Sequence, residues 1–337
     1  MNRCDHPESA KGMQTNELNL QPGEFVEVRA AAEILGALDD DGSLEGLPFM
    51  PEMLAFCGHR FRVYRRAHKT CDTIDWSGLR GMDRAVHLEA LRCDGSAHGG
   101  CQAGCLLFWK EAWLRRDDPG ASDVAPPGGL PAQSTVDPAP EAWLRERIRR
   151  NGAEGRFRCQ ATELRNATYP LSVLNAAQYV CDVRANGATW GGALLAVLRS
   201  AFNRLLKALR LPAFPRAAGR LNRTPRSALG LEPGEWVEVK SHREILATLD
   251  RQGKNRGLSF DAEMVPYCGG RFRVLRRVER IVDEKTGELR TLPGPCLVLD
   301  GVVCRGLYHR LCPRSTFPYW REIWLRRVSQ DGIPSVS

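Results

Sequence analysis

The spacing of apolar residues along this chain follows two different periods. Over residues 190–210, "WGGALLAVLRSAFNRLLKALR", apolar residues recur every three or four positions. At about 100° per residue, Leu194, Leu195, Leu198, Ala201, Phe202, Leu205, Leu206 and Leu209 share one sector. Arg199, Ser200, Asn203, Arg204, Lys207 and Arg210 share the opposite one. This predicts an amphipathic helix with a cationic polar face, ended by Pro212. Elsewhere the period is two. "EFVEV" and "EWVEV", "RFRVYRR" and "RFRVLRR", and "AVHLEAL" and "CLVLDGV" all read as strands. "AAAEILGALDDDG" and "SHREILATLDRQG" read as short helices closing near a glycine.

These predicted elements come in pairs because the sequence is duplicated. "LQPGEFVEV" at 20–28 matches "LEPGEWVEV" at 231–239, and "GLPFMPEMLAFCGHRFRVYRR" at 46–66 matches "GLSFDAEMVPYCGGRFRVLRR" at 257–277. "FWKEAWLRR" at 108–116 matches "YWREIWLRR" at 319–327, and all three blocks share an offset of 211. A period this long excludes a solenoid. Several short strands with turns and little helix, in about 95 residues, suggest a small β-barrel. The order G-x-x-V-x-V, then F-x-x-E-M-x-x-Y-C-G-x-x-F-R-V, then an aromatic–Leu strand, resembles SH3-like small barrels. The whole arrangement is similar to a group of bacterial proteins that carry such a Cys/His-containing domain twice, a resemblance that implies an architecture and no activity.

The expected fold is therefore mainly β with some α: tandem duplicated SH3-like small β-barrel domains joined by a disordered linker and an amphipathic helix. The expected order is a flexible N-terminus at 1–19, repeat 1 at 20–116, and a Pro/Gly-rich linker at 117–140. A helical connector at 141–225 follows, with short helices at its start and near 174–184, then repeat 2 at 226–328 and a tail at 329–337.

Composition narrows the class. The 337 residues are 43% hydrophobic and 26% charged, as in ordinary globular chains of two or three domains. The net charge of +8 comes largely from arginine pairs such as Arg65-Arg66 and Arg276-Arg277, and permits a nucleic acid, an anionic lipid or an acidic protein as partner. The first residues lack the apolar core of a secretory signal, and no apolar run reaches about 18 residues. The expected location is cytoplasmic, with a peripheral inner-membrane position open through residues 190–210. Twelve cysteines in a reducing compartment favour metal or thiol chemistry over disulfides.

The offset sorts those cysteines. Cys57 maps to Cys268, Cys93 to Cys304, His98 to His309 and Cys101 to Cys312. Each copy thus keeps a Cys3His set, a standard tetrahedral zinc complement, and two zinc ions are expected. Cys57 and Cys268 would come from a distant Cys-Gly turn and clip two parts of a small domain together. Of the unmatched cysteines, Cys71 stands opposite Val282, Cys105 opposite Thr316 and Cys296 opposite Ala85. Cys105 is an alternative to Cys57 as the fourth ligand. No role follows from the sequence for Cys159, Cys181 or Cys296. "CDGSAH" also resembles the Cys-Asp-Gly-Ser-His signature of three-Cys, one-His [2Fe-2S] proteins, which makes an iron–sulfur cluster the competing cofactor. It departs from that signature by one inserted residue and a missing upstream Cys-x-Cys pair, and the second copy, "CRGLYH", keeps only Cys and His.

The expected function is a non-catalytic metal-binding scaffold or accessory protein whose two domains bind a partner protein. The helix at 190–210 adds a membrane-surface option, with Trp190 and Phe202 as anchors. One alternative is an enzyme or sulfur/redox protein using the extra thiols of repeat 1, with Cys71, Cys105 and His68 as candidate catalytic groups. A nucleic-acid-binding protein is the other and is not favoured, because inward Phe and Val with outward Arg explain "RFRV" without a ligand. No small-molecule substrate is identified, since there is no phosphate loop, Ser-His-Asp order or telling carboxylate pair.

Overall fold

The computed structural model describes residues 18–75, 77–117, 138–149, 155–211 and 213–328. The expected N-terminal segment up to residue 17, most of the linker and the tail lie outside the described residues. The fold is mixed α/β with mostly strands, arranged in several small sheets. It divides into two compact units. One takes in the chain up to Ala193 with Val282–Arg290 and Cys312–Arg314. The other takes in Leu194–Ile281, Thr291–Leu311 and the chain from Ser315.

In the first unit five strands form one antiparallel sheet. Its order is Trp109–Lys110, Ala85–Leu88, Arg60–Arg66, Phe25–Val28 and Leu114–Arg116. The period-two pattern sets its faces: Val26 and Val28 are fully buried, and Phe25 between strand and solvent is 44% exposed. A second, four-stranded sheet has the order Leu289–Leu299, Arg271–Val282, Trp236–Val239 and Leu325–Arg327. Phe25 pairs with Arg62 in one, and Trp236 with Arg273 in the other. Under each sheet sits an aromatic cluster. Phe49 meets Trp113 edge-on at 5.2 Å, and Phe260 meets Trp324 at 5.5 Å.

Two features were hidden in the arginine-rich pattern. The last arginine of "RFRVYRR", Arg66, is not a surface charge but is 1% exposed. Its guanidinium reaches Glu111 at 3.3 Å, and Glu111 also accepts the backbone N–H groups of Asn19 and Leu20. Arg277 and Glu322 repeat the arrangement at 3.3 Å, with Glu322 accepting from Gly230 and Leu231. The entry to each repeat is thus tied to its closing "W-x-E-x-W" segment by a charge-assisted network.

The connector is more than a tether. A helix at Pro138–Arg147 starts inside the span expected to be linker. Leu144, Ile148, Cys159, Ala161 and Leu164 then join the core of the first sheet. Further helices span Ala177–Ala185 and Trp190–Ala208. In the latter, Leu194, Leu198, Phe202 and Leu205 of the apolar sector are all exposed. No helix among the described residues is long and apolar enough to cross a membrane.

Candidate metal centre

Two segments build the first centre. The 3-10 helix Pro51–Phe56 begins with proline and buries Pro51, Met53, Leu54 and Phe56, which leaves Glu52 to face the loop that follows the strand Ala85–Leu88. That loop is pinned at its base: the Cys93 N–H donates to the Cys105 carbonyl at 2.8 Å, and Arg92 reaches the Gly104 carbonyl at 2.9 Å. Inside it, the N–H groups of His98 and Gly100 both donate to the Gly95 carbonyl. Gly95 itself has φ +75°, and a Cβ there would lie 1.9 Å from the Cys101 carbonyl oxygen, so only glycine closes this turn.

The outcome is a compact group of Glu52, Cys93 and His98, whose donor atoms lie within 4.8 Å of one another. Cys93 Sγ is 3.4 Å from His98 Nε2, and His98 Nδ1 is 3.9 Å from Glu52 Oε1. Glu263, Cys304 and His309 form the same group in the second repeat. The supporting bonds recur too: Cys304 N–H to the Thr316 carbonyl at 2.8 Å, and the N–H groups of His309 and Leu311 to the Gly306 carbonyl. Arg310 and Leu311 hold at φ 51° and 62° the left-handed turn that Gly99 and Gly100 make in the first copy. His309 differs in one respect, since its Nε2 faces Asp261 Oδ1 at 3.3 Å.

Burial makes the first group unsatisfied as it stands. Both carboxylate oxygens of Glu52 and Nδ1 of His98 are buried without a hydrogen-bond partner, as is Oε2 of Glu263 in the second. Burial pushes Glu52 up to about 7. Burial, with the nearby charge of Glu52, pushes the Cys93 thiol well above its usual value, and burial pushes His98 down to about 4. Each group is driven toward its neutral form. Buried oxygen, sulfur and nitrogen donors that converge without partners fit a cation.

The structure therefore brings together Cys93 with His98 and Cys304 with His309, and adds a glutamate to each pair. It does not bring Cys57, Cys268, Cys101 or Cys312 into these groups. Cys57 and Cys268 cap the 3-10 helices, and burial pushes both thiols up to about 11. Cys101 Sγ accepts the Val282 N–H at 3.3 Å, and Cys312 Sγ accepts the Cys71 N–H at 3.3 Å. The Cys71 side chain also bonds to Cys312 and, outweighing burial, holds that thiol down to about 6. His68 lies against the buried Asp182 at 3.2 Å, where Lys69 also sits. Cys105 is half-buried, and desolvation pushes its thiol up to about 11. The glutamates were legible at the shared "EM" of "PEML" and "AEMV", which the comparison of cysteines alone passes over.

Comparison with known proteins finds no matching family model, no matching curated protein and no matching solved structure.

Proposed function

We propose that this chain is a metal-binding accessory protein holding one divalent ion, zinc by its donor set, at each Glu/Cys/His centre. The observation that carries the reading is the recurrence of the same three donor types at the same offset, with both carboxylate oxygens of Glu52 and one of Glu263 buried and unpartnered. A thiolate and a carboxylate balance the charge of a divalent ion, and a neutral imidazole adds none, so the filled site is neutral and tolerates burial. One cysteine and one histidine per centre fall short of the four protein ligands that an iron–sulfur cluster takes. The ion would brace each repeat, which we read as an SH3-like small barrel, by joining its 3-10 helix to its cysteine loop. The experiment is metal analysis of purified protein beside a Cys93→Ser/Cys304→Ser variant, which should lose both ions.

A thiol enzyme is the competing reading, because Cys93, His98 and Glu52 also follow the order of a Cys–His–acid triad. The direction of the shifts argues against it. A nucleophilic cysteine needs a lowered thiol value, whereas burial raises Cys93 and lowers His98. For the partner, we propose that the exposed apolar face of Trp190–Ala208, flanked by arginine, docks on an anionic membrane surface and brings the metal-braced repeats to a protein partner there.

A further inference from the structure

The two repeats treat one buried cation in opposite ways. In the first, Lys110 is 3% exposed and sits where the strand Trp109–Lys110 runs into the 3-10 helix Glu111–Trp113. Its Nζ donates to the Asp83 carbonyl at 3.0 Å and to Glu45 Oε2 at 2.7 Å. Glu45 also accepts from Arg84. A carboxylate of the chain itself thus compensates the buried ammonium.

The offset of 211 puts Arg321 at the position of Lys110 and Arg256 at that of Glu45. The backbone is alike in both copies. Glu45 and Arg256 each open the two-residue turn of a short hairpin, just before a glycine, with φ 52° and 47°. Lys110 and Arg321 each precede a 3-10 helix in extended backbone. Arg321 is 6% exposed and keeps the first contact, since its Nη1 donates to the Gly294 carbonyl at 2.7 Å. The second contact differs. Nη2 donates to the Arg256 carbonyl at 3.0 Å, where the first repeat offers a carboxylate. Among the described residues no carboxylate pairs with this guanidinium, and its Nε is buried without a hydrogen-bond partner. The neighbouring Glu322 is committed to Arg277 and to the N–H groups of Gly230 and Leu231. A cavity of about 50 Å³ adjoins Arg321, lined also by Arg226, Asn255, Arg256, Gly294 and Glu322. All of these residues belong to the second compact unit.

We infer that this cavity of the second repeat binds a phosphate group, held by Arg321 with Arg226 and Arg256 adding positive charge. A buried cationic donor without a counter-charge is costly, and an oxyanion beside it offsets that cost. The planar donor fork of arginine matches phosphate oxygens. Three arginines, with the one lining carboxylate already paired, favour the larger charge of a phosphate over that of a single carboxylate. The first repeat does not share the site, because Glu45 stands in the equivalent place. A free phosphate ion and a phosphate ester present the same chemistry. The site does not depend on the Glu/Cys/His centres being filled.

The test is calorimetric titration of the full chain with inorganic phosphate, with sodium chloride and sodium acetate of equal ionic strength as controls. Glycerol phosphate is titrated in a parallel arm. The expected result is one phosphate bound per chain, with neither control binding as tightly. Glycerol phosphate binding equally well identifies an esterified phosphate as a ligand, and its rejection identifies the free ion. Arg256→Glu restores the acid of the first repeat and should weaken phosphate binding by about tenfold or more, with the metal count unchanged. Should that variant fail to fold, Arg256→Gln, which keeps the backbone carbonyl that Arg321 uses, reads the same loss. No phosphate bound, chloride or acetate bound as tightly, or undiminished phosphate binding by the folded variant would each overturn the inference. The last result would move the phosphate to another cationic surface or to a metal centre.

Discussion

Glu52 Oε1 stands 3.9 Å from Nδ1 of His98, whose Nε2 lies 3.4 Å from Cys93 Sγ. This places a carboxylate where the paired cysteines suggested a third thiolate. The consequence is a sharp contrast between two substitutions. Glu52→Gln should cost the chain one of two bound ions, and Cys57→Ser should cost none, with only about 1 kcal/mol lost in stability. Metal counts on the two purified variants separate the outcomes. Loss of an ion from Cys57→Ser alone would return Cys57 to the ligand set.

Gly95 should be as critical to the first centre as its ligands. Any side chain there meets the Cys101 carbonyl in a left-handed backbone. Gly95→Ala should empty the first centre and leave the second filled, and the strain should lower stability by about 1–3 kcal/mol. Metal counting with a denaturant titration reads both. A variant that keeps two ions at wild-type stability would contradict the loop geometry.

His87 should make the fold acid-sensitive. Its Nδ1 lies 2.9 Å from the Leu107 carbonyl, and burial pushes it from 6.5 down to about 3. The folded state therefore binds fewer protons than the unfolded state between those values. Stability is full above about 6.5 and falls as pH drops toward 3. Between pH 7 and 5 this histidine alone should remove about 2 kcal/mol. Urea unfolding of wild type and His87→Gln at both pH values measures the difference, and metal-linked effects common to both cancel. Equal slopes would show that His87 does not carry the effect.

The apolar sector of the Trp190–Ala208 helix is exposed where a packed helix would bury it. Leu198→Lys/Phe202→Lys should abolish sedimentation with vesicles containing anionic lipid and leave the metal count unchanged. Wild-type binding should weaken as salt screens the arginines. Undiminished sedimentation of the variant would remove the membrane from the account.

What could be read from the sequence follows from which physical signals are local. The strand Phe25–Val28, the helix Trp190–Ala208 and the recurrence of Cys93 with His98 all rest on short-range periodicity or on a fixed offset. The fourth partner of each set depends on which segment packs over the loop, and no local pattern encodes that. Cysteine stands out because it is rare, while Glu52 is one carboxylate among 40. Arg66 shows the same limit. It reads as one more surface arginine until its buried partner Glu111, from the other end of the repeat, is brought beside it. The helices of the connector were expected, but a few apolar positions such as Leu144 and Leu164 give little notice that they complete a core.

The central claim is two metal centres of mixed oxygen, nitrogen and sulfur donors, and the most direct measurement is metal identity and stoichiometry on the purified full chain. The account predicts about two zinc ions per chain, no visible absorption, and one ion lost from each of the single variants Glu52→Gln and Glu263→Gln. A brown protein with iron and labile sulfide, or a chain that holds no zinc, would contradict it.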